Sequence, residues 1–271
     1  MLPFRKPLAF LKKDFLMEVS YRFSFVLQFA SIFFSVVMFY FVGKLLGEAP
    51  SVQSSIGEYG GNYFSFVLIG IAFSNFLSVG LGSFSDNIRS EQVIGTLEAM
   101  LVTPTRLFNI VLSSSQWNFA FTSLRVGVYL IFGVFFGVSF SGAAILPALL
   151  ALALTVIAFS SLGIISASFI MVFKRGDPIA FALSTSSTLL GGVYYPITVL
   201  PGWLQTLSYF FPITYSLRAI RLSLLQGAGF SVVGGDLIAL AVFSLITLPI
   251  SLVCFRFAVS RAKRDGSLAY Y

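Results

Sequence analysis

The chain has 271 residues, of which 57% are hydrophobic, 17% aromatic and only 10% charged. Soluble domains carry about a quarter charged residues, so this composition excludes a water-soluble fold and predicts one all-α integral membrane domain over 1–271. No polar segment is long enough to bury a core of its own. The 17 Lys and Arg exceed the 10 Asp and Glu, for a net charge of +7. These cations gather at the ends of apolar runs, which is the pattern that orients membrane spans and not one that reads nucleic acid. Histidine is absent, which removes the commonest metal ligand and general base. Cys254 is the single cysteine, so no intramolecular disulfide is available. Neither a catalytic site nor a metal site is expected.

Residues 1–22 combine Arg5, Lys6, Lys12, Lys13 and Arg22 with Phe4, Leu8, Leu11, Phe15 and Val19 at helical spacing. This pattern predicts a basic amphipathic helix lying in the headgroup interface. Phe23 to Gly43 is uncharged over 21 residues, roughly 30 Å of helix and enough to cross the hydrocarbon core. Lys44 to Asn62 reads as a loop, and Tyr63 to Ser85 as a second span.

The stretch Asp86 to Arg106, DNIRSEQVIGTLEAMLVTPTR, is a polar island between two apolar runs. From Ile88 to Leu101 it predicts a short amphipathic helix, with Ile94, Leu97 and Leu101 on one face, stopped before Pro104. Span three is expected at Phe119 to Ser139 and span four at about Leu146 to Phe173, where Gly163 and Ala167 permit close helix contact. Arg125 falls a turn or two inside span three, which favours snorkelling to the interface over a place in the transport pathway.

Lys174 to Pro178 forms a charged turn, and Ile179 to Tyr195 is read as span five. Its hydroxyls, Ser184 and Ser187 among them, either line a pathway or bond back to their own helix. Residues 196–236 are apolar but broken by Pro196, Pro201 and Pro212. That predicts short re-entrant helices, a backbone tolerated at membrane depth only when buried in protein or lining an aqueous cavity. Leu237 to Phe255 is span six, with Pro249 as a kink.

Six spans put both termini, the 86–106 loop and the Lys174 turn on one side. That side holds five cations in the N-terminal segment, two in the loop, two in the turn and four near the C-terminus. The other side holds Lys44, Arg218 and Arg221. The bias places the 86–106 loop and both termini in the cytoplasm, with the chain a multi-pass protein of a prokaryotic inner or plasma membrane.

Two motifs resemble the ABC-2 type permeases, the membrane subunits of one class of ATP-driven transporters. One is EQVIGTLEAMLVTP at 91–104. The other runs from Gly191 to Arg221 and includes YYPITVLP, PITY and the following arginines. The resemblance implies that the 86–106 loop is a cytoplasmic coupling helix, with Glu91, Ile94, Gly95, Thr96, Leu97 and Glu98 docking on a separate ATPase subunit. It also implies short helices at the outer face, where Gly192, Tyr195, Pro196, Pro201, Pro212, Tyr215 and Arg218 belong. The chain has no G-x-x-x-x-G-K-[ST] loop, so ATP and Mg are expected on the partner ATPase. A second copy or a homologous permease would complete the complex.

The function implied is export of an amphiphilic, lipid, drug-like or lipid-linked glycan molecule. The alternative is an ion-coupled transporter or channel without an ATPase, which ordinarily places acidic groups deep in its spans. The spans as read here contain none. An intramembrane enzyme lacks a base to activate any of its serines.

Overall fold

The structure is a computed structural model and describes residues 21–47, 49–94, 107–140, 142–173 and 177–264, together with 12, 15, 16 and 20. Of 91–94, 107–114 and 263 only the backbone is described. The N-terminal amphipathic segment, most of the 86–106 loop and the Lys174 turn therefore lie largely outside the described residues.

The described chain is helical throughout, without strands. In order the helices are α1 (Arg22–Leu46), α2 (Pro50–Ile56), α3 (Tyr63–Ile94), α4 (Leu107–Phe135), α5 (Ile145–Phe173), α6 (Pro178–Leu190), α7 (Gly202–Ser208), α8 (Pro212–Leu225) and α9 (Phe230–Arg264). Short 3-10 turns at Gly57–Tyr59 and Ile197–Val199 complete it. Among the described residues five helices, α1, α3, α4, α5 and α9, are long and apolar enough to cross a membrane.

α3 is the hub of the bundle. Of its apolar stretch 72% is buried within the protein, against 11% for α1, so α1 is peripheral and α3 central. Phe66, Phe84, Leu68, Leu77 and Leu81 are sealed in the interior, and α1, α4, α5, α6 and α8 all pack on α3. The crossing with α5 is close because two glycines meet. A Cβ at Gly163 would fall on the carbonyl oxygens of Gly80 and Leu81, and one at Gly80 would sit 2.7 Å from the Phe159 Cβ. The small-residue pair Gly163 and Ala167 does face a neighbour, as the sequence predicts. Consecutive helices α4 and α5 scarcely touch, and α9 packs mainly on α5.

Several boundaries differ from the expectation. The Lys44–Asn62 loop contains α2, started by Pro50 at its first turn, and the Gly57–Tyr59 turn. Asp86 to Ile94 is not the start of a separate helix but the continuation of α3. Ile88 is buried against Phe84, Met171 and Ala258, and Asn87 Nδ2 donates to Ser115 Oγ at 3.2 Å. Packing on that face keeps the helix going where the charge pattern predicts a break.

The expected fifth span is shorter than its sequence suggests. α6 has 13 residues, roughly 20 Å, which falls short of the ~30 Å hydrocarbon core. Asp177 caps its start by accepting from the Ala180 amide at 2.8 Å, and Ser166 donates to the same carboxylate. It ends where the Gly191 amide returns to the Ser187 carbonyl at 2.8 Å and Gly192 takes a positive φ of 75°. The last helix is longer than expected. It begins at Phe230 and runs unbroken through Pro249, so 230–236 belong to it and not to the proline-broken segment. As a result Asp86 and Asp236 both lie on apolar span helices, which corrects the reading that the spans hold no acidic residue.

Candidate functional site

The proline-broken segment folds over the Tyr63 end of α3. Pro201 precedes α7 and Pro212 opens α8 at its first position, where its missing amide costs no hydrogen bond. The side chains of the segment then tie it together. Tyr195 Oη donates to the Leu189 carbonyl at 2.6 Å, and Thr214 Oγ1 to the Ser208 carbonyl at 2.7 Å. Thr155 of α5 bonds Ser216 of α8 at 2.6 Å.

Arg221 is the deepest polar group of this region. Its side chain falls on the same face of α8 as Ile213, Leu217 and Ile220, and the residue is 2% exposed. Nε donates to the Phe66 carbonyl at 3.0 Å, Nη1 to Gly192 at 2.9 Å and Nη2 to Val193 at 3.0 Å. The guanidinium lies 3.5 Å from the centroid of the Phe66 ring, which adds a cation–π attraction of about 2 kcal/mol in a desolvated setting. Burial without a carboxylate partner lowers its pKa from the usual arginine range to about 9, and it remains a cation at neutral pH. Gly70 makes the arrangement possible. Any Cβ there would fall on the Val193 carbonyl and collide with Arg221 Nη2.

One turn earlier, Arg218 points the other way. Its Nε and Nη2 donate to Glu58 Oε1 at 3.2 and 2.7 Å, and Nη1 lies 3.5 Å from Asp236 Oδ1. The bond to Glu58 raises its pKa further, against the opposing effect of partial burial. Arg218 thus joins the loop after α1, helix α8 and the head of α9. These residues enclose a cavity of about 270 Å³, lined also by Ser55, Tyr59, Gly192, Pro196, Tyr209 and Tyr215. Burial raises the pKa of the Tyr59 phenol and also that of Tyr215.

Of the residues singled out at this end, Gly192, Pro196, Tyr215 and Arg218 converge on the cavity, while Tyr195, Pro201 and Pro212 shape the backbone around it. Glu58, Tyr59, Arg221 and Asp236 belong there too, although the sequence reading gives them no role. The usable signal is Arg221, a cation on the apolar face of an amphipathic helix. Glu58 and Asp236 carry no local signal: Glu58 is 160 positions from Arg218, and Asp236, though only 18 positions from it, lies on a different helix.

The remaining candidates stand apart. Arg125 is not near the start of its span. The apolar part of α4 runs Ser115–Phe135, which puts Arg125 at its midpoint, roughly 15 Å from either end. Its Nε is buried without a hydrogen-bond partner, and it lies beside Tyr129. Ser187 of α6 is buried, its hydroxyl likewise unpartnered. Thr188 bonds back to the Ser184 carbonyl at 2.8 Å, as hydroxyls in helices do. Neither Ser184 nor Ser187 lines the cavity. At the other end of α3, Gly95, Thr96, Leu97 and Glu98 lie outside the described residues, as do the side chains of Glu91 and Ile94.

The family model described as ABC-2 type transporter matches residues 8–225, a range that includes the polar island and most of the residues lining the cavity. The inner membrane transport permease YadH of Escherichia coli (strain K12) is 26% identical over 185 residues, covering 67% of this chain and 70% of the relative. The putative transport permease ycf38 of Cyanophora paradoxa is 26% identical over 222 residues, covering 75% and 74%. With its apolar helices and a family match over most of its length, this chain belongs to the ABC-2 type transporter family and is a multi-pass membrane transport permease.

Proposed function

We propose that the chain is the membrane subunit of an ATP-driven exporter, powered by a separate ATPase that carries ATP and Mg and docks on Glu91, Ile94, Gly95, Thr96, Leu97 and Glu98. The polar island then lies in the cytoplasm with both termini, which requires the short α6 and the proline-broken segment after it to make the sixth crossing together, and the Arg218 cavity lies at the outer face of the cell membrane. A second copy or a homologous permease pairs with it, and the cargo is amphiphilic, whether lipid, drug-like or lipid-linked glycan.

The observation that carries this reading is the continuity of α3. A single helix of 32 residues, roughly 48 Å long, runs from the cavity end to the polar island and forms the buried centre of the bundle. A partner that favours one position of residues 91–98 would bias every helix packed on α3, including α8 through Arg221 and Phe66. Coupling requires that differential binding and a rigid element to transmit it.

The alternative of an ion-coupled transporter gains little from the two span carboxylates, because Asp236 faces the Arg218 guanidinium through Oδ1 and Asp86 lies at the polar-island end of α3 within the field of Arg89. The test is co-purification with a candidate ATPase, followed by Glu91→Ala and Glu98→Ala together. The expected outcome is loss of the complex and of coupled ATP hydrolysis, with the permease still folded. Assembly and coupling that survive the double substitution would sink the docking assignment.

A further inference from the structure

The cavity around Arg218 contains one group that its own surroundings leave unsatisfied. Asp236 is 5% exposed. Its Oδ1 makes only the 3.5 Å contact to Arg218, and Oδ2 is buried with no hydrogen-bond partner. A carboxylate oxygen only accepts, and leaving it unmet in a buried site costs on the order of the full desolvation penalty of a charged group. A donor entering the cavity would satisfy it.

The other lining groups decide which kind of donor. Glu58 and Asp236 are balanced in charge by Arg218 and Arg221, so neither a cation nor an anion gains net attraction. Arg221 spends a bond from each of its three nitrogens on backbone carbonyls, and Arg218 spends two donors on Glu58. The Nε–Nη2 fork of Arg218 is taken by Glu58 and its Nη1 faces Asp236, so a phosphate or carboxylate would meet a guanidinium already neutralised by two carboxylates. What remains are acceptor oxygens, residual N–H groups and the side chains of Tyr59, Tyr209 and Tyr215, in a space of about 270 Å³. That is close to the ~300 Å³ at the lower end of small-molecule sites.

We propose that this cavity binds the hydroxyl-rich headgroup of a sugar or polyol. Each hydroxyl both donates and accepts, which matches a neutral lining of mixed donors and acceptors. The ring carbons lie against the tyrosines, and a headgroup hydroxyl donates to Asp236 Oδ2. The inference rests on the permease reading, since it names the headgroup of a cargo or of a resident glycolipid.

The experiment uses the full chain in phosphatidylcholine nanodiscs prepared without glycoside detergent. Cys254→Ser removes the native thiol, and Ser55→Cys places one on the cavity wall. Glucose, galactose and N-acetylglucosamine are the probes, with ethanolamine and inorganic phosphate for comparison, and the readout is the rate of maleimide labelling. At least one sugar is expected to slow labelling five-fold or more in a saturable way, while ethanolamine and phosphate have no effect. Asp236→Asn is expected to weaken that protection about ten-fold. If Asp236→Asn does not fold, Tyr209→Ala tests the same point, because Tyr209 is half exposed and its removal takes away one ring wall.

Absence of protection by every sugar overturns the proposal. So does protection by ethanolamine or phosphate alone, or protection unchanged in the variants. With the partner ATPase present, stimulation of hydrolysis by an alkyl glucoside identifies the headgroup as cargo, whereas protection without stimulation identifies a resident glycolipid. ATPase assembly measured on the same sample keeps the two readings apart, since assembly without sugar protection sinks only this one.

Discussion

Arg221 and Phe66 meet twice: the guanidinium donates to the Phe66 carbonyl at 3.0 Å and lies 3.5 Å from the centre of its ring. Phe66 lies in the first turn of the central helix and Arg221 on the helix that follows the proline-broken segment, so this one side chain pins the cavity to the hub of the bundle. Its substitution tests that role. Arg221→Met takes the arginine donor from three buried carbonyls, two of them (Gly192 and Val193) outside any helix, and is expected to cost about 2 to 5 kcal/mol at roughly 1 to 3 kcal/mol for each buried acceptor left unmet. Arg221→Lys keeps the charge but loses the planar fork and the stacking, and is expected to fall between Met and wild type. Thermal unfolding in detergent, followed by gel filtration, ranks the three.

Two glycines in apolar helices predict opposite outcomes for the same change. Gly70→Ala drives a methyl into the Val193 carbonyl and Arg221 and is expected to lose about 1 to 3 kcal/mol through overpacking. Gly127→Ala meets nothing within 4 Å. It is expected to gain up to ~1 kcal/mol from helix propensity. A Gly70→Ala protein as stable as wild type would contradict the close approach at that position.

The Glu58–Arg218 pair is half exposed on both sides, at 46% and 48%. Despite the 2.7 Å contact, solvent screening limits such a pair to roughly 0.2 to 1 kcal/mol. A double-mutant cycle with Glu58→Gln and Arg218→Gln is expected to give a coupling energy in that range, smaller at high salt. A coupling of several kcal/mol would mean that the pair is dry in the membrane.

The topology makes a prediction that needs no partner protein. In a Cys254→Ser background, Gly95→Cys is expected to react with a membrane-impermeant maleimide only from the cytoplasm and Ser55→Cys only from outside. Ser55 precedes α3 in the chain and Gly95 follows its last residue, so labelling of both from one side would contradict the reading of α3 as a span.

Much of this architecture was legible because the hydrocarbon core imposes one rule, that a helix must be long and apolar to cross it. The apolar runs that begin at Phe23, Tyr63 and Leu146 start within a residue of α1, α3 and α5. Misjudged boundaries fell where packing outweighed local polarity. Ile88 and Asn87 carry α3 past a charge cluster that looked like a break, and the burial of Asp236 beside Arg218 let α9 begin earlier than its charge pattern implied. A span beginning at Phe119 puts Arg125 near an interface, whereas the helix starts well upstream at Leu107.

The sequence by itself determined that the chain lives in a bilayer, the order of its helices, the family and the proline-broken segment, since length, hydropathy and local motif settle those matters. Only the tertiary structure decided that Glu58, Arg218 and Asp236 share one cavity, that Arg221 is buried on Phe66, and that a single helix joins the cavity end to the polar island. Those relationships depend on contacts between residues as many as 160 positions apart. Local periodicity carries no information about such pairings, because each side chain's setting is fixed by the packing of helices remote from it in the chain.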